Sequence, residues 1–153
     1  MNTLELKVPP PAVALIFGLT MWGISLFTFT VEVSFLARII LSMAVALVGG
    51  AFSLLGGIAL RRAKTIINPM KPEGASSLVT GGVYRVTRNP MYVGLLFVLL
   101  GWAAFLAAPW SLVGPVALVL YISRFQITSE ERVLTPLFGE AYSNYKTKVR
   151  RWL

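Results

Sequence analysis

Long stretches without a charged residue constrain this chain more than any other feature of its sequence. Residues 8–31 and 39–60 contain no Asp, Glu, Lys or Arg. Because a helix needs about 20 apolar residues to cross the hydrocarbon core of a bilayer, each stretch predicts one membrane-spanning helix. The first stretch is too long and too aromatic for a signal-peptide core, and no small-residue cleavage site follows it, so we expect a retained anchor.

A third uncharged stretch covers residues 89–123, which is 35 residues. As a single helix it would extend about 52 Å, which is too long for one crossing. Pro109 lies near its middle, where proline interrupts a helix. The stretch therefore predicts a hairpin of two helices, over residues 90–107 and 110–127. Pro90 suits the first turn of the third helix, with Asn89 as its N-cap.

The basic residues indicate how these helices are oriented. Twelve of the 14 Lys and Arg residues lie in segments 61–90 and 124–153. The positive-inside rule places both segments in the cytoplasm, which requires an even number of crossings between them. We therefore expect an all-α polytopic membrane protein with four transmembrane helices, the last two forming a hairpin. A cytoplasmic loop and short C-terminal interfacial helices complete it, and both termini are predicted to be cytoplasmic.

The composition excludes several classes of function. Apolar residues make up 56% of the chain and charged residues 13%, against about 25% charged in a soluble domain. The chain has no His and no Cys, which excludes disulfides, thiolate nucleophiles, Ser-His-Asp triads and the usual zinc sites. The net charge of +8 is explained by topology, so we expect anionic membrane lipids as partners, and neither nucleic acid nor a metal ion.

The tail after the fourth predicted helix carries two adjacent carboxylates, Glu130 and Glu131. Thr128 and Ser129 are predicted to cap a new helix there, and Gly139 to end it. A second short amphipathic piece follows with Tyr142 and Tyr145. These features are typical of an interfacial helix with aromatic anchors. Two adjacent carboxylates at a strongly basic membrane surface also indicate that at least one of them pairs with a base or binds a cationic ligand.

Together these residues form an ordered motif. It runs from Tyr84 to Gly94, continues with Gly101 and Trp102, and ends with Glu130, Glu131, Leu134, Phe138, Gly139, Tyr142 and Tyr145. The motif resembles that of the isoprenylcysteine carboxyl methyltransferase family and of the related phospholipid N-methyltransferases. The resemblance covers about residues 61–152. It implies a single membrane methyltransferase domain over residues 1–153, with two N-terminal helices (1–60) and a cofactor-binding core (61–153).

The resemblance also implies S-adenosyl-L-methionine as the cofactor, bound on the cytoplasmic side. The implied cofactor-binding residues are Ser77, Leu78, Val79, Tyr84, Asn89, Pro90, Met91, Tyr92, Glu130 and Glu131. The prenylcysteine enzymes carry His at the position of Asn89, whereas the phospholipid enzymes carry Asn. The prenylcysteine enzymes also carry a substrate-binding arginine at the position of Gln126. Arg124 and Gln126 are therefore the substrate-side candidates.

Methyl transfer is compatible with a chain that lacks His and Cys. The sulfonium of the donor is already activated, so the protein acts by positioning the reactants and excluding water. The acceptor is expected to be lipid-like or a small hydrophobic molecule, with a carboxylate, amine or thiol as the nucleophile. Two alternatives remain open at this point, a nicotinamide-dependent membrane reductase of the sterol-reductase type and a non-enzymatic four-helix membrane protein.

Overall fold

The computed structural model describes residues 7–65, 70 and 72–153, and the regular structure in these ranges is entirely helical. The first two helices are α1 (Pro10–Phe27) and α2 (Phe35–Arg62). Both lie where the uncharged stretches predict a helix. Ser34 begins α2 as an N-cap, since its hydroxyl accepts a hydrogen bond from the amide of Ala37 at 3.3 Å.

The third uncharged stretch folds as two helices that meet at a turn. Helix α3 (Pro90–Leu106) ends at Ala107, which adopts the left-handed conformation with φ of 50°. A short 3₁₀ turn (Pro109–Leu112) follows and leads into α4 (Val113–Tyr121). The predicted break at Pro109 is therefore confirmed.

Beyond α4 the chain stays helical, so the prediction that Thr128 and Ser129 cap a new helix is wrong. A π-helical turn (Ile122–Ile127) continues directly into α5 (Thr128–Lys148). Thr128 and Ser129 therefore cap nothing, because the amides of this turn are already bonded to the preceding one. The Thr128 hydroxyl instead donates to the carbonyl of Ser123 at 2.7 Å. Gly139 leaves the helical conformation (φ 54°, ψ −129°) and divides α5 into two pieces.

Three helical runs are long and apolar enough to cross a membrane, namely α1, α2 and the continuous run Pro109–Lys148. Helix α3 is apolar but only 17 residues long. Large apolar side chains on α1 and α2 lie open to the surroundings, as in Phe27 (91% exposed) and Leu47 (70%). Such surfaces fit contact with lipid. The chain is a membrane protein, and the count of four crossings stays a prediction.

Helices α2 and α3 pack closely because glycines lie at their contact. A Cβ atom on Gly94 would lie 2.7 Å from the carbonyl oxygen of Gly49, and one on Gly56 would lie 2.9 Å from Cγ of Pro90. Small residues permit such backbone approach in membrane helices. Gly50 and Gly57 have nothing within 4 Å of the same hypothetical atom, so only one glycine of each pair serves this contact.

Hydrogen bonds join the connector and the start of α2 to the C-terminal end of α3. The amide of Val31, in the connector between α1 and α2, donates to the carbonyl of Ala107 at 2.7 Å. Nε of Arg38 donates to the carbonyl of Phe105 at 2.6 Å. The α1–α2 connector and the α3–α4 turn thus lie at one end of the molecule. The C-terminus of α2 and the N-terminus of α3 lie at the opposite end, where the residues implied as cofactor-binding gather.

Candidate functional site

A cleft opens at the end of the molecule where α2 ends and α3 begins. It holds a cavity of about 150 Å³ that opens to the surroundings. All ten residues implied as cofactor-binding line it: Ser77, Leu78, Val79, Tyr84, Asn89, Pro90, Met91, Tyr92, Glu130 and Glu131. The structure therefore brings together residues that lie up to 54 positions apart in the sequence.

The end of α2 holds the segment that carries Ser77. Lys64 adopts a left-handed conformation (φ 52°) just past the helix, which turns Thr65 toward this segment. The Thr65 hydroxyl accepts the amide hydrogen of Ser76 at 3.0 Å. The Ser77 hydroxyl donates to the carbonyl of Ala63 at 3.1 Å. Because its hydroxyl hydrogen is used in this way, Ser77 offers the cleft an acceptor oxygen rather than a donor.

Three buried tyrosines form one wall of the cleft. Gly82 has φ of 60°, a conformation that favours glycine, and it begins the 3₁₀ turn that carries Tyr84. The Tyr145 hydroxyl donates to the carbonyl of Tyr84 at 2.6 Å, and Tyr142 packs in the same cluster. Burial raises the pKa of the Tyr84 phenol, with Tyr145 and Glu130 adding to the effect. The wall is therefore aromatic and neutral.

Glu130 and Tyr92 lie together in the cleft. The Tyr92 hydroxyl donates a hydrogen bond to Oε1 of Glu130. Tyr92 is buried, with 5% of its surface exposed, and Gln126 donates a side-chain hydrogen bond to the same hydroxyl. The three side chains thus form a chain of hydrogen bonds that fixes the Glu130 carboxylate against the aromatic wall.

Glu131, by contrast, is bound by two arginines. Nε and Nη2 of Arg151 donate to its two carboxylate oxygens at 2.8 and 2.6 Å. Nη1 of Arg88 lies 3.0 Å from Oε1 of the same carboxylate. The hydrogen bonds to Glu131 raise the pKa of Arg151. The two neighbouring carboxylates therefore differ, because the arginines bind Glu131 while Glu130 accepts from a neutral phenol.

The tail after α5 is joined to the segment just before α3. The carbonyl of Arg151 accepts hydrogen bonds from the Thr87 hydroxyl and from Nδ2 of Asn89, both at 2.9 Å. Asn89 is the N-cap of α3 by position, as predicted, but its side chain makes no capping hydrogen bond. The tail provides an acceptor that lies outside the helix, and the amide group of Asn89 binds there. Nε1 of Trp152 also donates to the Ser123 hydroxyl at 3.0 Å.

The two substrate-side candidates do not line the cleft. Arg124 is exposed on the π-helical turn, whereas Gln126 is buried, with 2% of its surface exposed. Residues two apart on a helix face different directions, which explains the separation. Gln126 hydrogen-bonds to Tyr92 of the cleft, and neither Gln126 nor Arg124 is among the residues that line it.

Several residues that line the cleft have no site role predicted from the sequence. The sequence places four of them in predicted interfacial helices, namely Leu134, Phe138, Tyr142 and Tyr145. Their spacing of three to four residues puts them on one helical face. That spacing was a usable signal for a shared wall. Thr65 and Arg88 also line the cleft. Their roles depend on contacts with distant residues, which no local pattern reports. Among the described residues, no cluster of acidic side chains could hold a metal ion.

Comparison with known proteins relates the chain to membrane methyltransferases. The sequence profile described as phospholipid methyltransferase matches residues 37–141. An uncharacterized protein of Haemophilus influenzae is 44% identical over 41% of this chain and its own full length. A probable protein-S-isoprenylcysteine O-methyltransferase of Oryza sativa subsp. indica is 32% identical over 72% of this chain and 58% of its own.

A methanethiol S-methyltransferase of Pseudomonas deceptionensis is 33% identical over 64% of this chain and 35% of its own. The chain thus spans less than two thirds of the length of these two methyltransferases. No solved structure is significantly similar to it.

Proposed function

Since the chain belongs to the phospholipid methyltransferase family, we propose that it transfers a methyl group from S-adenosyl-L-methionine. The acceptor is a lipid-like or small hydrophobic molecule. The observation that carries the proposal is the arrangement of the two carboxylates. Glu131 is bound by Arg88 and Arg151, whereas Glu130 accepts a hydrogen bond from Tyr92. Glu130 is thus the carboxylate available to a cationic ligand.

The residues of the cleft fit the chemistry of this cofactor. S-adenosyl-L-methionine carries a sulfonium and an ammonium, and its adenosine is a flat, polar aromatic group. Glu130 provides a carboxyl group whose ionised form a bound cation would stabilise, and Tyr84 and Tyr142 line the same cleft, where aromatic rings attract cations. The apolar lining of the cleft, which includes Leu78 and Leu134, suits the uncharged part of the cofactor's surface.

The protein's part in the reaction is positioning. The cofactor supplies an activated methyl group when bound, so no side chain needs to act as a nucleophile. The hydrogen bonds from Gln126 to Tyr92 and from Tyr92 to Glu130 fix the carboxylate in advance, which limits the entropic cost of aligning the reactants. The buried tyrosines keep water away from the reacting atoms.

The acceptor is proposed to be apolar on two grounds. The relatives with named activities act on an isoprenylcysteine and on methanethiol, which are both hydrophobic. Gln126 is buried away from the cleft in this chain, so the position that holds the substrate-gripping arginine in the prenylcysteine enzymes gives no charge to an acceptor carboxylate. The cleft is proposed to face the cytoplasm, because the basic segments 61–90 and 124–153 surround it.

Calorimetric titration of the purified protein in detergent tests this proposal. S-adenosylhomocysteine is expected to bind saturably, and NADPH is not. Because a hydrogen bond to a charged group contributes about 1.5–3 kcal/mol, Glu130→Gln is expected to weaken binding about 10- to 100-fold. Glu140→Gln is the matched control, since Glu140 is exposed on the same helix. Saturable NADPH binding without a response to S-adenosylhomocysteine would reject methyl transfer in favour of a reductase.

A further inference from the structure

A second cavity lies among the first three helices, separate from the cleft. Helices α1 and α2 both pack against α3, and a groove of about 710 Å³ runs between them along its surface. Its floor is formed within residues 95–105 of α3, and its walls within residues 11–22 of α1 and 42–46 of α2. None of the described residues that line the groove also lines the cleft, so the proposed function gives this groove no part.

The lining of the groove suits a hydrocarbon chain. It is almost entirely apolar and opens to the surroundings on one side. Two of its polar side chains use their hydrogens inside the protein. Nε1 of Trp102 donates to the carbonyl of Gly18 at 3.0 Å, and the Ser42 hydroxyl donates to the carbonyl of Ile39 at 2.9 Å. A ligand of the groove is therefore held by apolar contact along its length.

The dimensions of the groove fit one acyl chain. At about 1.5 Å per residue, the floor from residue 95 to residue 105 is about 15 Å long, which is half of the roughly 30 Å hydrocarbon core of a bilayer. A methylene group fills about the space of a water molecule, roughly 30 Å³, so the groove holds about 20 such groups. This is the length and volume of a single chain in one leaflet.

A positive charge lies at one end of this groove. Arg38 is one helical turn before Ser42, on the same face of α2. Its guanidinium carbon lies 5.5 Å from the centre of the Phe105 ring, which ends the groove floor. Nε of Arg38 donates to the carbonyl of Phe105 at 2.6 Å, which fixes the guanidinium there. Within the described ranges, Arg38 forms an ion pair with no acidic side chain, so its terminal nitrogens can bind an anion.

We propose that the groove binds one acyl chain of an anionic phospholipid and that Arg38 binds the phosphate of its headgroup. A guanidinium matches phosphate oxygens through parallel hydrogen bonds. The site lies at the end of the molecule opposite the cleft and does not depend on methyl transfer. In the competing explanation, Arg38 only satisfies the Phe105 carbonyl at the end of α3, and lipids of every kind fill the groove equally.

Native mass spectrometry of the protein released from detergent tests the role of Arg38, because it counts the lipids that each chain retains. Phosphatidylglycerol and phosphatidylcholine with identical chains are supplied together. The wild type is expected to retain one phosphatidylglycerol about fivefold more often, the effect of one basic residue on an anionic lipid. Arg38→Gln keeps a donor for the Phe105 carbonyl but removes the charge, so the preference should fall to about onefold. Arg61→Gln, exposed at the other end of α2, should retain it.

Leu19→Trp tests the groove itself, since Leu19 lines its wall and a larger side chain there occupies the space of the acyl chain. Leu26→Trp is the matched control, because Leu26 is on the same helix and equally exposed (61% against 59%) but does not line the groove. Leu19→Trp is expected to lower lipid retention about tenfold, the effect of losing about two buried methylene groups. Adding Arg38→Gln to Leu19→Trp should then change little, because both act on one lipid.

Three results would overturn the inference: equal retention of the two lipids by the wild type, an unchanged preference in Arg38→Gln, or equal retention by Leu19→Trp and Leu26→Trp. If Arg38→Gln does not fold, the wild-type comparison and the tryptophan pair still decide. A dimer without retained lipid that Leu19→Trp alone dissociates would overturn the inference in favour of a second copy of the chain.

Discussion

Replacement of Gly56 by alanine tests whether the contact between α2 and α3 sets the position of the cleft. The added Cβ would lie 2.9 Å from Cγ and 3.2 Å from Cβ of Pro90, and 3.3 Å from Cγ of Met91. The ring of Pro90 is rigid, so the two helices must move apart. Gly57 lies next to Gly56 on the same helix and has nothing within 4 Å of its hypothetical Cβ, which makes Gly57→Ala the matched control.

The magnitude follows from the difference between the two variants. Both replace glycine by alanine inside a helix, and both gain up to about 1 kcal/mol in helix propensity. Only Gly56→Ala carries the cost of overpacking, which is about 1–3 kcal/mol. Because the propensity gain is shared, the gap between the two variants equals the overpacking cost. For a chain of this length, about 2–4 °C of unfolding midpoint corresponds to 1 kcal/mol, so the gap is on the order of 2–12 °C.

Thermal unfolding in detergent, followed by circular dichroism, measures this gap. Pro90 and Met91 also line the cleft, so Gly56→Ala is expected to weaken the binding of S-adenosylhomocysteine several-fold, while Gly57→Ala retains wild-type affinity. The pair Gly49→Ala and Gly50→Ala repeats the comparison two helical turns earlier, where only Gly49 meets α3. Equal midpoints within both pairs would refute the argument that glycines set the distance between the helices.

Three further outcomes are expected. Thr65→Val removes the acceptor for the amide of Ser76 and is expected to weaken S-adenosylhomocysteine binding about fivefold, the effect of one hydrogen bond of about 1 kcal/mol; Thr65→Ser should match the wild type in the same titration. Asn89→Leu removes the donor to the Arg151 carbonyl, so residues 149–153 should exchange amide hydrogens faster, whereas Asn89→His retains a donor and should keep them protected; equal exchange in both contradicts this role. Burial raises the pKa of Tyr84, so the wild type and Tyr84→Phe should show equal phenolate absorbance near pH 10, and an extra titrating phenol in the wild type would count against the buried wall.

The membrane helices could be predicted because their cause is local. Absence of charge over about 20 residues is sufficient to identify a span, and Pro109 is sufficient to break one. The helix boundaries at α1, α2 and the hairpin therefore follow from the sequence. The uninterrupted helix from α4 into α5 does not follow from the sequence. Polar residues such as Thr128 favour helix starts in general, but here the preceding turn already provides their hydrogen-bond partners.

The residues of the candidate site could be identified from the ordered motif, since the ten implied residues line one cleft. What local patterns could not supply were the contacts that join distant segments. The Asn89 side chain donates to the carbonyl of Arg151, 62 positions away, and Gln126 donates to the hydroxyl of Tyr92 on α3. The hydrogen bonds of polar side chains depend on which segment packs beside them, and only the folded arrangement determines that.

The link between the tail and the segment before α3 has a consequence for how the protein forms. The hydrogen bonds of Thr87 and Asn89 to Arg151 close loops of more than 60 residues, and closing such loops costs entropy. Individual apolar helices, in contrast, satisfy their own backbone and are stable in the bilayer before they pack. Assembly of the cleft is therefore a late step that uses the inserted helices as a template. In the folded protein, the same hydrogen bonds between the tail and the segment before α3 are where we expect local opening to begin.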